Sequence, residues 1–276
     1  MKTALLQLNV SDDPVANLPR TVQMVRQAVD MGAAFVLTPE VTNCVSTSRS
    51  HQAQVLTQEE NDATLAALRD VAADCGIHLL IGSLALKTDD PQGRFANRSF
   101  LIGPDGGILA RYDKIHMFDV AISNSETYTE SSGYRPGSRA VLAQPAFAPV
   151  GMAICYDMRF PKLSDALVSA GAQILTYPAA FSPVTGAAHW HSLLRARAIE
   201  AGAWVLAPAQ TGTHPSGSDK TRTTYGHSLA VDPWGEVMLD AGTAPGVYVF
   251  DLELNKVAEA RSRIPARDNA RPFDGP

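Results

Sequence analysis

Cysteine is scarce in this sequence: Cys44, Cys75 and Cys155 are the only three in 276 residues. Their wide spacing matches neither a disulfide framework nor a CxxC metal or redox motif, and an odd, sparse count suits a reducing compartment, so a cytoplasmic protein is expected. Basic charge is also in short supply. Lys and Arg number 23 against 28 Asp and Glu, giving a formal charge of -5, and without a basic stripe to neutralise phosphates the balance argues against a nucleic-acid partner. No apolar run reaches the roughly 18 residues of a membrane span, so no membrane partner is expected. The opening MKTALLQLNVSDDP meets Asp12 and Asp13 before a signal-peptide core of useful length could form, and reads as a first β-strand. No GxGxxG follows that strand and no GxxxxGK[ST] occurs anywhere, which counts against a doubly wound nucleotide-binding sheet. The histidines are scattered, without HExxH or similar spacing, so neither a metal nor a cofactor is expected.

Apolar residues make up 45% of the chain, enough for a large core, and no linker, repeat or low-complexity tract divides it. A single domain over residues 1–276 is expected. Strand-like and helix-like patterns alternate throughout. After TALLQLNV, the stretch from Val15 to Met31 places Leu18, Val22, Val25 and Val29 at helical spacing, with Gly32 as a stop. FVLTP reads as a buried strand, Glu59 to Cys75 as a helix, and HLLIGSLAL, NRSFLIG and GILARYD as strands, the last two joined at the PDGG turn. The later half repeats the order: VGMAIC, the helix PKLSDALVSA, AQILTYP, a helix from Ala187 to Ala201, AWVLAPAQ, and a hairpin about the PWG turn. LLIGSL, GMAIC and WVLAPA are apolar on both faces, as strands covered on each side would be. Two such halves predict an α/β fold, a four-layer α-β-β-α sandwich of two mixed sheets with helices outside.

Cys155 ends one of these apolar runs, in GMAICYDMRFP, and polar residues follow it. A buried, inert thiol is the bland alternative, because free cysteine packs as a small hydrophobe. The same alternative is favoured for Cys44, just after Glu40, and for Cys75, the last apolar residue of its helix. Glu40 in FVLTPEVTN and Lys114 in ARYDKIHMF share with Cys155 a position at or just past a strand end, from which side chains can point into one pocket. Their chemistry is complementary. A carboxylate can take the thiol proton, an ammonium favours the thiolate, and the oxyanion formed by attack on a carbonyl needs a fixed positive charge and backbone amides. For an amide, the same glutamate can protonate the leaving amine and then activate water against the thioester.

On these motifs the chain resembles the nitrilase superfamily of carbon-nitrogen hydrolases, from the first strand through PWGEV. The resemblance implies that Glu40 is the general base and acid, Lys114 the oxyanion stabiliser and Cys155 the nucleophile, with the Tyr156 amide completing the oxyanion hole. It assigns Glu130, in TYTESSGYRPG, to orienting Lys114 or the substrate; otherwise that residue is a solvated loop acid. AHWHSLLRARAIE, APAQTG, TYGHSLAVDPWGE and KIHMFDV resemble the branch containing deaminated glutathione amidase, with omega-amidase as its neighbour. Both act on a small-molecule amide of a 2-oxo acid, which calls for a carboxylate anchor. Arg159 is the candidate anchor, unless it pairs with Asp157 or another acid, and Phe181 and Thr185 are expected to line the same pocket, with plain core packing the alternative for Phe181. Relatives dimerise through helices in the later half, so a homodimer or higher homo-oligomer is implied. One departure is the loop AISNSETYTE after KIHMFDV, which lacks the acidic residue and proline-glycine turn usual in the branch and leaves substrate choice open.

The residues also permit blander readings. His116 and His227 are expected to hydrogen-bond in support of the scaffold, and His189 has no partner at catalytic spacing. Trp190, Leu193, Leu194 and Ala198 form a helical stripe suited to core packing or a subunit face. An inactive binding protein of the same fold would have lost a member of the trio, and all three are present. An amine in place of water on the thioester would make an acyltransferase instead.

Overall fold

The computed structural model describes residues 1–122, 126–217 and 222–275. The first helix, Pro14–Asp30, starts where Asp13 caps it, its carboxylate accepting from the Val15 and Ala16 amides at 2.9 and 3.2 Å, and Pro14 supplies the fixed φ of the first turn. It ends at Met31, followed by Gly32 at φ +91°, where a side chain would be strained. The helix expected from Glu59 begins later. Glu59–Asn61 is a separate 3-10 turn, and Asp62 then caps Ala63–Cys75 through the Leu65 amide at 2.8 Å. Cys75 closes that helix as expected but is half-buried, whereas Cys44 is buried. A short helix, Arg49–Val55, has too few apolar residues to show in the periodicity.

Two six-stranded sheets carry the fold. The first has the order Gly246–Asp251, Lys2–Gln7, Phe35–Leu37, His78–Leu86, Ala96–Ile102, Ile108–Asp113. The second, from its opposite edge, runs Val141–Ala143, Val150–Met152, Ile174–Thr176, Trp204–Ala207, Leu229–Val231, Val237–Asp240. Read in those directions both sheets have one pairing sequence: antiparallel, parallel, parallel, antiparallel, antiparallel. The chain is therefore two similar halves, each a parallel core with an antiparallel hairpin, the PWG hairpin closing through Asp232, which accepts from the Trp234 and Glu236 amides at 2.9 Å. The first sheet also recruits the late strand Gly246–Asp251, which clamps the N-terminal strand in register from Lys2↔Asp251 to Gln7↔Gly246.

Strand alternation separates the layers. Leu5, Phe35, Leu37, Leu80 and Leu101 of the first sheet join Val150, Met152 and Ile174 of the second in one buried cluster. Their chain neighbours Ala4, Leu6, Val36, Leu79 and Ile81 face the other way, onto Met24, Val25, Leu65, Leu68 and Val71 of the first two long helices. Beyond the second sheet lie the helices Pro161–Ser169 and Pro183–Ala201, whose Leu167, Trp190, Leu194 and Ala198 are buried, with Leu193 partly buried against them, so the helical stripe is core. The result is the expected four-layer α-β-β-α sandwich. Two small hairpins lie outside the main sheets, Asp119–Ala121 with Thr127–Thr129 and Thr211–His214 with Arg222–Tyr225. No helix among the described residues is long and apolar enough to cross a membrane.

Candidate active site

Glu40 lies three residues beyond the strand Phe35–Leu37, and Lys114 follows directly on Ile108–Asp113. The strand before Cys155 is shorter than VGMAIC implies. Pairing ends at Met152, and Cys155 opens a 3-10 turn, Cys155–Arg159, with its own backbone at φ +48°. Val41, next to Glu40, also has φ +48°. A positive φ costs a non-glycine residue roughly 1–2 kcal/mol and a β-branched one more, so the chain is strained beside both reactive side chains, as turns that expose a nucleophile commonly are. Hydrogen bonds hold the strain. The Cys155 amide donates to Pro178 O at 2.9 Å, and the Val41 amide to Ser83 Oγ at 2.8 Å.

The structure brings Glu40, Lys114, Glu130 and Cys155 together at a cavity of about 690 Å³ that Tyr156 and Phe181 also line. Lys114 Nζ donates to Glu40 Oε1 at 2.9 Å and to Glu130 Oε1 and Oε2 at 2.9 and 2.8 Å, and is 2% exposed. Glu40 Oε2 accepts the Ala180 amide at 2.8 Å. Glu130 Oε2 accepts the Phe118 amide at 2.6 Å, which fixes the loop that carries it. Tyr156 is the second residue of the 3-10 turn, so its amide has no carbonyl of that turn to bond.

Charge and burial oppose each other here. Burial alone would raise the Glu40 carboxyl, but the Lys114 ammonium and the Asn97 and Ala180 donors outweigh it and hold it below the usual glutamate range. Burial would lower Lys114, yet Glu130 and Glu40 keep it charged, well above an ordinary lysine. Cys155 is pushed well up, first by burial and then by the charge of the Glu40 carboxylate, while Lys114 pulls the other way. The resting site is thus a thiol beside a carboxylate and an ammonium. Such a set can move a proton from sulfur to carboxylate as the sulfur attacks, with no change in its total charge.

Two supporting residues escape a sequence reading. Asn97 donates to Glu40 Oε1 at 2.8 Å and to Glu130 Oε1 at 3.4 Å, and its carbonyl accepts the Lys114 amide at 3.0 Å. Asp157, fully buried, does not pair with Arg159. Its carboxylate accepts the Ile154 amide at 2.9 Å, the Tyr112 hydroxyl at 2.7 Å and the His116 amide at 3.1 Å, and lies 2.6 Å from His116 Nδ1. One carboxylate therefore joins the Cys155 turn to the segments flanking Lys114. His116 supports the scaffold as expected, stacked 3.6 Å from Phe160.

Arg159 and Thr185 do not line the cavity. Arg159 turns its guanidinium over the Phe181 ring at 5.6 Å and places Nη2 3.2 Å from His189 Nδ1, and Thr185 buries its hydroxyl at the start of a helix. The arginines at the cavity are Arg49, on its rim, and Arg222, from the hairpin Arg222–Tyr225. Part of the divergent loop AISNSETYTE, residues 123–125, lies outside the described residues; its later part, Thr127–Thr129, lines the cavity. His191, His227 and Asp240 are the described side chains grouped closely enough to hold a metal ion, within 4.8 Å of one another, and none lines the cavity.

The carbon-nitrogen hydrolase family matches residues 2–262. Deaminated glutathione amidase of Mus musculus is 36% identical over 274 residues, 98% of this chain and 83% of the relative. Omega-amidase NIT2 of Homo sapiens is 35% identical over 267 residues, 96% of this chain and 92% of the relative. The crystal structure of the C. elegans NitFhit protein superposes with a TM-score of 0.90 at 32% identity, covering 98% of this chain and 65% of that one, so the chain spans about two thirds of that protein's length. A thiol, a carboxylate and an ammonium gathered at one cavity in a four-layer sandwich agree with these matches: the chain belongs to the carbon-nitrogen hydrolase family, the nitrilase superfamily, and is an amide-hydrolysing enzyme of it.

Proposed function

We propose that the enzyme hydrolyses a linear amide through a Cys155 thioester. The observation that carries the reading is Glu40, whose carboxylate accepts from Lys114 at 2.9 Å and shares the wall of one cavity with the Cys155 thiol. Cys155 Sγ attacks the amide carbonyl while its proton passes to Glu40. As Glu40 becomes neutral its hold on Lys114 weakens, and the ammonium turns to the developing oxyanion together with the Tyr156 amide. Glu40 then protonates the leaving amine, the C–N bond breaks, and the thioester remains. Water enters, gives its proton to Glu40 and attacks the thioester, and the acid leaves as Cys155 regains its proton. Glu130 keeps Lys114 in place throughout.

The substrate reading is deaminated glutathione, cleaved to 2-oxoglutarate and cysteinylglycine. A cavity of about 690 Å³ has room for a tripeptide-sized molecule, and the mouse relative carries that activity in its name. Omega-amidase activity on 2-oxoglutaramate is the second reading, favoured by the similar identity to the human omega-amidase. The specificity constants on the two compounds separate them, and a clear preference for 2-oxoglutaramate would overturn the first. Cys155→Ala should abolish turnover with the fold intact; a variant slowed only a fewfold would refute the thioester. The three free thiols fit the reducing cytoplasm. A homodimer is the reading that the family resemblance supports, and light scattering that gives a monomer mass would exclude it.

A further inference from the structure

We propose that Arg222 binds the carboxylate of the acyl half of the substrate, an inference that rests on the 2-oxo acid reading above. The position of Arg222 relative to the reacting groups is set through one residue. Ala180 donates its amide to Glu40 Oε2 at 2.8 Å, and its carbonyl accepts Arg222 Nη2 at 2.7 Å. The guanidinium therefore stands no more than roughly 9 Å from the Glu40 carboxylate, given the reach of a single residue. In a 2-oxoglutaryl group the carboxylate lies four carbon–carbon bonds from the carbonyl that Cys155 attacks. With the carbonyl at Cys155 and Glu40, an acyl chain of that length ending in a hydrogen-bonded carboxylate suits the interval.

The other cations of the cavity are less suitable. Lys114 is committed to Glu40 and Glu130. Arg49 is exposed and donates Nη2 to the Gln92 carbonyl at 3.0 Å. Arg222 is half-buried, and among the described residues no carboxylate forms an ion pair with it, whereas Arg98, Arg94 and Arg26 each have one. Its guanidinium carbon lies 5.8 Å from the centre of the Tyr128 ring, a contact that uses no N–H group, so the donors other than the one given to Ala180 O are left for a ligand. Glu126, also in the lining, accepts from Ser182 Oγ at 2.7 Å and the Tyr128 hydroxyl at 3.1 Å.

The platform beneath Arg222 is rigid. Its strand pairs with Thr211–His214 from Thr211↔Tyr225 to His214↔Arg222. Buried His214 bridges the two strands and the main body, with Nε2 2.7 Å from Thr224 Oγ1 and Nδ1 2.7 Å from Val10 O. The Tyr225 amide donates to Phe181 O at 3.0 Å, which ties the hairpin to the cavity wall. An anchor for the acyl half stays bound from substrate through thioester, so it contributes uniform binding and acts on KM more than on kcat.

The experiment compares wild type, Arg222→Gln and Arg222→Lys on three amides: deaminated glutathione, 2-oxoglutaramate, and a neutral amide of similar length without the carboxylate. Arg222→Gln should raise KM about 10- to 100-fold on both acids, the loss of one charge-assisted contact. It should leave kcat and the neutral amide within about threefold, so the neutral amide reports that the variant is folded. Arg222→Lys should recover part of the loss, since it keeps the charge without the fork. Loss confined to deaminated glutathione would place Arg222 on the leaving-group carboxylate and overturn the assignment, as would equal loss on all three amides or none. Wild-type enzyme active on the neutral amide alone would instead sink the 2-oxo acid reading itself.

Discussion

Replacing Lys114 with Met tests the electrostatics of the site most directly, because the side-chain volume is nearly kept and the charge is lost. Lys114 is 2% exposed and contacts three carboxylate oxygens at 2.8–2.9 Å. Without it two acids share a buried site with no cation between them. In the wild type the folded Glu40 carboxyl is lowered by Lys114, so its contribution is full above the unfolded glutamate value near 4.3 and is lost as pH falls through the folded one. The folded Lys114 value is raised, so its contribution is full below about 10.4 and lost only at higher pH. Between about pH 5 and 9 the cluster therefore gives a flat stability profile. In the variant, burial, the largest influence on Glu40, acts unopposed by the ammonium and raises the carboxyl. The sign then inverts, and stability declines as pH rises from about 4.3 upward. Breaking a buried ion pair from one side costs about 3–5 kcal/mol, which for 276 residues lowers the melting midpoint by about 5–9 °C. Thermal unfolding at pH 5 and pH 8, with kcat at pH 8, provides the assay. The midpoint should fall more at pH 8 than at pH 5, and kcat should fall at least about 100-fold for the lost oxyanion partner. A midpoint within about 2 °C of wild type at both pH values, or kcat within about tenfold, would refute the reasoning.

The pH–rate profile of the wild type should be level from about pH 6 to 9, because Glu40 titrates below that window and Lys114 and Cys155 above it; an inflection near 6.5 in kcat/KM would point to a histidine base instead. Asp157→Asn should lower kcat about 10- to 100-fold and stability by about 2–3 kcal/mol, since one amide oxygen cannot replace a carboxylate engaged by the Ile154 and His116 amides and the Tyr112 hydroxyl. Unchanged kcat in that variant would show that the Cys155 turn is held without Asp157. Gly82→Ala should fail to reach the wild-type fold, because a Cβ there would meet Thr38 O at 2.0 Å, Pro178 Cβ at 2.5 Å and Pro39 O at 2.5 Å; a soluble variant with the wild-type midpoint would show that the close approach of these segments is dispensable.

Most of the fold was legible because apolar periodicity and caps agree. The capped helices Pro14–Asp30 and Ala63–Cys75 and the long strand His78–Leu86 declare themselves within a few residues. The small hairpins did not, since three- and four-residue strands carry too little alternation to separate from loops. The strand Gly246–Asp251 is long enough to read, but its place beside Lys2–Gln7 depends on a contact across almost the whole chain. Arg159 shows the same limit within the site. Its nearness to Cys155 in sequence suggested nearness in space, but a 3-10 turn advances quickly and carries the fifth residue out of the cavity. Arg222, 67 positions from Cys155 in the chain, reaches the cavity through the Ala180 carbonyl.

The trio was legible for a topological reason. Lys2–Gln7, Phe35–Leu37, His78–Leu86 and Ile108–Asp113 run the same way in the first sheet, and Val150–Met152, Ile174–Thr176 and Trp204–Ala207 run the same way in the second. Glu40 and Lys114 follow carboxyl ends in the first set; Cys155, Ala180 and Gln210 follow those of the second. The bonds between these ends, Glu40 with the Ala180 amide at 2.8 Å and Gln210 Nε2 with Glu40 O at 3.0 Å, show that the two sets of ends meet. Open α/β sheets place their ligands beyond the carboxyl ends of parallel strands. Here two such sheets face each other, so each half supplies what the other lacks: the Glu40 carboxylate and the Lys114 cation from one, the Cys155 thiol and the Ala180 amide that holds the carboxylate from the other. The repeated half thus explains why single polar residues placed just past apolar runs carry the chemistry, and why Gly82 must be small where Thr38, Pro39 and Pro178 press the two halves together.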